Sequence, residues 1–160
     1  MVPPNMDVVR PTFAKVETKS HPLIAALQAS VSPTSVLPLI QGEWLSEAND
    51  VWQRPGTPAG NEITIPMWPH WNQQGATTVQ ACLQTSALVP CYEAWTLVWD
   101  ALVAPPLAYG NQLAVAVAAG GTYAGYAELL RLTGAGYPIG FVIGIVPTAT
   151  GQRLFFRTNY

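Results

Sequence analysis

Charge is what this sequence has least of. Lys and Arg number seven and Asp and Glu nine among 160 residues, 10% of the chain, where about 25% is usual in soluble domains. Seven cations and a net charge of −2 exclude a surface built to neutralise phosphates, so direct contact with nucleic acid is not expected. Long apolar runs are missing too: none reaches the roughly 18 residues a membrane-crossing helix needs before Pro, Gly, Asn or Gln interrupts it. The opening MVPPNMDVVRP lacks the apolar centre of a secretion signal. Cysteine is scarce, and the spacing of Cys82 and Cys91 suits neither a C-x-x-C redox pair nor a zinc ligand set, leaving a buried thiol or a mutual bridge as the open readings.

Catalytic signatures are equally thin. No G-x-S-x-G elbow, phosphate loop or H-E-x-x-H occurs, and no nucleophile, base and orienting group can be assembled from named residues. GAGYPIG at 134–140 precedes a strand-like segment, so it lacks the helix N-terminus that cradles phosphate and reads as a turn. Glu43, Glu47, Asp50 and Glu62 fall around one loop; several oxygens there could attract a hard cation such as calcium, but their spacing matches no loop motif, and a solvated face is the default. Glu93, Asp100 and Glu128 stand apart from one another in sequence. An enzyme is not expected, and no metal or cofactor is called for.

What the chain does have is proline and period-two patterning. Residues 1–35 carry Pro3, Pro4, Pro11, Pro22 and Pro33 together with Arg10, Lys15 and Lys19. Because proline fixes φ and withholds a donor, they read as an extended arm that runs over a surface or reaches a neighbour. Within it, 20–30 suggests a short helix capped by Ser20 or His21, with Pro22 early and Leu23, Ile24 and Leu27 on one side. From residue 36 to 160 a β-sandwich domain is expected, with strand-like segments at 36–45, 61–68, 76–89, 92–103, 111–119, 126–133, 138–147 and 152–159. The segment 92–103 also suits a helix face.

Between Ala101 and Ala127 the chain carries no charge at all. In 138–147, Ile139, Phe141, Ile143 and Ile145 alternate with Gly140, Val142, Gly144 and Val146, so neither face is polar, and a strand of that kind is covered on both sides. In 113–118, Leu113, Val115 and Val117 alternate with alanines. Such stretches stay out of water if one face fills a sandwich core and the other lies under a neighbouring layer, arm or subunit. Arg153 and Arg157 alternate along the last segment and would present guanidinium groups to Glu93, Asp100 or Glu128 of another segment or subunit. His70, between Trp68 and Trp71, reads as a packed loop histidine, and His21 as a cap or solvent group. Trp68 and Trp71 are the best pair among six tryptophans for stacking on a sugar, although packing is the commoner use of indoles.

Eight short strands after a proline-punctuated arm, the last two apolar on both faces, resemble the single jelly-roll capsid proteins of icosahedral viruses. In that fold two four-stranded sheets face each other and the last two strands lie inside them. Small size, low charge and the lack of a basic arm are most similar to the small major capsid proteins of tailless double-stranded DNA phages with an internal membrane. The resemblance implies an all-β, eight-stranded antiparallel sandwich that forms homo-oligomers, pairs with a second, larger capsid protein, resides in the virion and lies near the internal membrane. Arg10, Lys15, Trp68, Trp71, Arg153 and Arg157 are the candidate interface residues. A head-decoration or attachment protein, and a carbohydrate-binding sandwich using Trp68 and Trp71, are the alternatives.

Overall fold

The period-two alternation of the sequence becomes strand almost wherever it is regular. The computed structural model describes residues 4–11, 17–72, 84–90 and 92–158, without the side chains of Arg10 and Pro11; Lys15, Cys82, Cys91 and the first part of the expected strand 76–89 lie outside the described residues. The strands are β1 (Met6–Pro11), β2 (Thr18–Pro22), β3 (Trp44–Ala48), β4 (Val51–Gln53), β5 (Trp68–Pro69), β6 (Gln84–Leu88), β7 (Tyr92–Thr96), β8 (Gln112–Val117), β9 (Ala127–Arg131), β10 (Gly140–Thr148) and β11 (Gly151–Thr158), with one helical turn, α1 (Ala25–Gln28), running into a 3-10 turn at Ala29–Val31. The fold is all-β, antiparallel and sandwich-like.

Six strands form one sheet in the order β1-β7-β11-β10-β8-β9. Its inner face supplies most of the larger core: Met6, Tyr92, Ala94, Leu113, Val115, Leu129, Val142, Leu154 and Phe156, packed against Trp44, Met67 and Leu88 of the opposite layer. That layer consists of β4-β3-β5 and the pair β2-β6. Single bridges from Leu23 to Trp52 and from His70 to Ala87 join the two groups, so the pairings run in a closed circuit from β2 through β6, β5, β3 and β4 back to β2. A second, smaller core of Leu23, Leu27, Val31, Leu39, Leu45, Trp52 and Ala87 belongs to this circuit, and the fully buried Trp52 indole donates to the Thr85 carbonyl at 3.0 Å. Closing a small group of strands removes edges that would otherwise pair with other chains.

Several expectations are corrected. The strands number eleven among the described residues and divide six, three and two rather than four and four. β10 and β11 are interior, but as hydrogen-bonded neighbours of one sheet. The described strands of 1–35 belong to the body: β1 is an edge strand of the large sheet because Met6 turns into the core, and β2 pairs with β6 along its whole length. Neither Ser20 nor His21 caps a helix; β2 runs through Pro22, and α1 starts after Ile24 with no side-chain cap. In 36–45 the backbone is irregular until Trp44, since Pro38 cannot donate and Gly42 turns at φ +90. In 61–68 the chain runs beside β8, with Ile63 N donating to the Val115 carbonyl, and only its end enters a strand. The ambiguous 92–103 is β7 as far as Thr96, held between β1 and β11, and then irregular.

The largest correction concerns the faces of β10. Its register against β11 shifts between Val142 and Gly144, which places one extra residue in the strand. An extra residue switches the side to which every later side chain points. Val142 and Ile145 therefore both face the core, while Phe141, Gly144 and Val146 face outward, and the expected face of Ile139, Phe141, Ile143 and Ile145 does not exist as a unit. The two alternate glycines play different parts. At Gly140 a methyl group would run into the backbone of Arg157 and Thr158, whereas at Gly144 it would meet open space. Gly140→Ala is expected to destabilise the protein by about 1–3 kcal/mol and Gly144→Ala to leave thermal stability unchanged; equal melting temperatures for the two variants would refute this account of the sheet centre.

Candidate functional site

Two features stand out once the side chains are in place: the outward face of the large sheet and a cavity at its end. On the sheet, outward positions of β7, β10 and β11 align Phe155 with Trp95 and Phe141 with Arg157. The Arg153 guanidinium lies 3.9 Å from the Trp95 ring centroid, close enough for a cation–π contact, and its Nε has no hydrogen-bond partner. Arg157 pairs with Glu93, its Nε 2.8 Å from the carboxylate, and passes 5.9 Å from the Phe141 ring. Of the three acids considered for these arginines, the structure selects Glu93 of the same chain for Arg157. Val146 is 48% exposed, while Val142, Leu154 and Phe156 on the other side of the same strands are fully buried. The backbone of Arg10 stands opposite Glu93 on the sheet edge.

Trp68 and Trp71 do not form a platform. Trp68 packs on the smaller core, 5.9 Å from Trp52, with the Lys19 ammonium 5.7 Å from its own ring; Trp71 packs on the larger core. Between them His70 is fully buried, its Nδ1 2.8 Å from the Ile40 carbonyl and its Nε2 against the Thr85 hydroxyl. Burial pulls its pKa down to about 4, so the neutral ring donates from Nδ1 and accepts at Nε2. That is a packed histidine, as the sequence suggested.

Of the four acids expected around one loop, Glu47 and Asp50 stay together, while Glu43 and Glu62 go elsewhere. Glu43 is fully buried; burial pushes its pKa up, opposed by Arg54, whose Nε and Nη2 lie 2.8 and 3.0 Å from its oxygens. Glu62 accepts from Thr133 N and Oγ1, Gly134 N and Gly136 N. Burial pushes its carboxyl up, but these four bonds outweigh it and leave the pKa below the usual range. Glu47 takes the Lys19 ammonium at 2.6 Å, which lowers its pKa. Asp50 sits with Asn49 in a turn at positive φ. His21, Glu47 and Asp50 are the one group among the described residues with three ligand atoms within 4.8 Å of one another. Lys19 already neutralises its centre, and the group reads as a charge network rather than a metal site.

The cavity, about 260 Å³, opens where β7 ends, β9 begins and β10 turns into β11; Trp99, Asp100, Leu102, Tyr123, Glu128 and Gln152 are among its lining residues. Its geometry is fixed by the backbone. Asp100 N donates to the Leu129 carbonyl at 2.8 Å, Leu129 N to Val98 at 3.2 Å, and the Trp99 indole to Gln152 at 2.8 Å. The Asp100 carboxylate accepts from Leu102 N at 3.0 Å. Glu128 is 9% exposed, yet no hydrogen bond or ion pair reaches its carboxyl among the described residues. Burial, with Asp100 adding to it, raises its pKa to about 8, and burial followed by Glu128 raises that of Tyr123. Asp100 and Glu128 look unrelated in sequence. The available signal was an acid set between Ala127 and Leu129 in a strand of apolar neighbours.

A carboxyl whose pKa rises from 4.5 to about 8 on folding takes up a proton as the chain folds. The stability it contributes is complete below pH 4.5 and is lost as pH climbs through 8. Glu128→Gln should therefore melt like the parent near pH 4.5 and above it near pH 8.5, by roughly 2–4 °C for each kcal/mol relieved; a difference that does not depend on pH would remove the perturbed acid. Arg54→Ala, which strands the buried Glu43 carboxylate, is expected to cost about 3–5 kcal/mol in chemical denaturation, and a cost under about 1 kcal/mol would show the pair to be incidental. Compared with known proteins, the chain matches no family model, no curated protein and no solved structure.

Proposed function

We propose that this chain is a structural subunit of a protein shell, a viral capsid protein that works through repeated lateral contacts with its own copies and with a second capsid protein. The observation that carries this reading is the outward face of the β10–β11 hairpin. Phe141, Val146 and Phe155 lie there without burial comparable to the inner face, beside two arginines resting on aromatic rings. In a chain with only 10% charged residues such a face is poorly matched to water and well matched to another protein, since aromatic rings and arginine are the groups enriched at interface centres. A β-sandwich-like body with both ends of its large sheet occupied by short strands is a workable tile. The proposal rests on this surface and not on a jelly-roll strand order. No catalytic triad or phosphate cradle among the described residues argues for chemistry instead.

The proposal is tested by light scattering during size-exclusion chromatography of the full chain over a concentration series. Association should grow with concentration, and the Val146→Glu/Phe155→Glu double variant, with an unchanged circular dichroism spectrum, should associate at least tenfold more weakly, about 1.4 kcal/mol. A parent chain that stays monomeric at every concentration, or a variant that assembles like the parent, would end the reading.

A further inference from the structure

We infer that the cavity lined by Asp100, Glu128, Trp99 and Tyr123 is a binding site for a small organic ammonium ion. The inference is independent of shell formation.

Size is the first argument. A water occupies about 30 Å³ of liquid, so a cavity of about 260 Å³ is far too large for a bare ion and suits a molecule of several heavy atoms. A hard cation such as calcium would also want six to eight oxygens close around it, and only two carboxyls converge here.

Charge is the second argument. Of the residues lining the cavity none is Lys, Arg or His, so no positive charge there would hold an anion, and the Asp100 carboxylate would repel one. Glu128 is the decisive group: most of the residue is buried, it lines the cavity, and no donor among the described residues reaches its carboxyl. A largely desolvated carboxyl is weakly satisfied, and a charged donor brought in by a ligand would complete it.

The walls supply the third argument. Trp99, fixed by its bond to Gln152, reaches the cavity from the core, and Tyr123 lines it as a second ring; aromatic groups are favourable neighbours for a cation. Leu97 and Leu102 also line the cavity, and Leu102 is 85% exposed, an apolar side chain left to solvent. A neutral alcohol could use the apolar wall but would leave Asp100 without a counter-charge. An ammonium group carried on an apolar body satisfies both.

Binding would have a protonic signature. An ammonium ion pairs best with an ionised Glu128, and that group is largely protonated at neutral pH in the free protein. The other titratable groups facing the cavity are Asp100 and Tyr123, and Tyr123 stays neutral. Binding at pH 7 should therefore release close to one proton.

The test is isothermal titration calorimetry of the full chain with benzylammonium chloride, and with benzyl alcohol as the uncharged match, at pH 7 in two buffers of different ionisation heat. Benzylammonium should bind one to one, at least tenfold more tightly than the alcohol, with an apparent enthalpy that differs between the buffers. Glu128→Gln keeps the shape of the neutral acid, so it should fold; it should weaken the ammonium at least tenfold, leave the alcohol unchanged and abolish the buffer dependence. Asp100→Asn provides a second variant, expected to weaken the ammonium alone. Equal binding of amine and alcohol, no binding of benzylammonium, or full affinity in Glu128→Gln would each overturn the inference.

Discussion

The second layer depends on a buried ion pair. The stretch from Leu37 to Glu43 has no strand partner, yet Leu39, Gln41, Gly42 and Glu43 are buried, and backbone polar groups taken out of water must find partners somewhere. Arg54 and Glu43 provide them. One guanidinium donates to the Leu37 and Pro38 carbonyls as well as to Glu43, and the carboxylate accepts from Ile40 N. His70 completes the arrangement through the Ile40 carbonyl, while its own backbone bonds Gly42 and Glu43. The planar, five-donor fork of arginine suits this task where lysine would not. The pair is costly to bury, and what it secures is the path of an irregular segment between two cores.

The large sheet has a different economy. Its inner face is closed by Trp44, Met67 and Leu88, but its outer face is finished with arginines laid over rings and with glycine where a side chain would stand. Stacked arginine is weakly hydrated and can exchange one flat partner for another, so this face is neither a second core nor an ordinary solvated surface. The cavity lies at the end of the same sheet, where β7 stops at Thr96 and the Thr96 hydroxyl takes over as acceptor for Val98 N. Both features arise where regular pairing gives way.

What could be read in the sequence and what could not divide along physical lines. β8, β9 and β11 fall close to their expected positions because their alternation is uninterrupted and one face is plainly larger than the other. The pairing of Arg157 with Glu93 was among the arrangements the sequence allowed, and the buried character of His70 followed from its indole neighbours. The shift at β10 was illegible, because an extra residue leaves no mark in a run where both faces are apolar. Residues 36–45 look like a strand since hydrophobicity marks burial and not hydrogen bonding, and their partners are side chains far along the chain. Arg54 gave no sign of its part, as a lone cation before Pro55 reads as a loop residue. Asp100 and Glu128 meet only through a parallel bridge between Trp99 and Leu129, a tertiary event with no local pattern.

The place of β11 has a bearing on how the chain comes into being. It lies between β7 and β10, and every other strand of its sheet is synthesised before it. Without β11, β1 and β7 have no hydrogen-bonded link within the sheet to β8, β9 and β10. The strand that joins the two halves of the large sheet is thus the last of the six to be made, and the outward face it helps to form cannot exist before it.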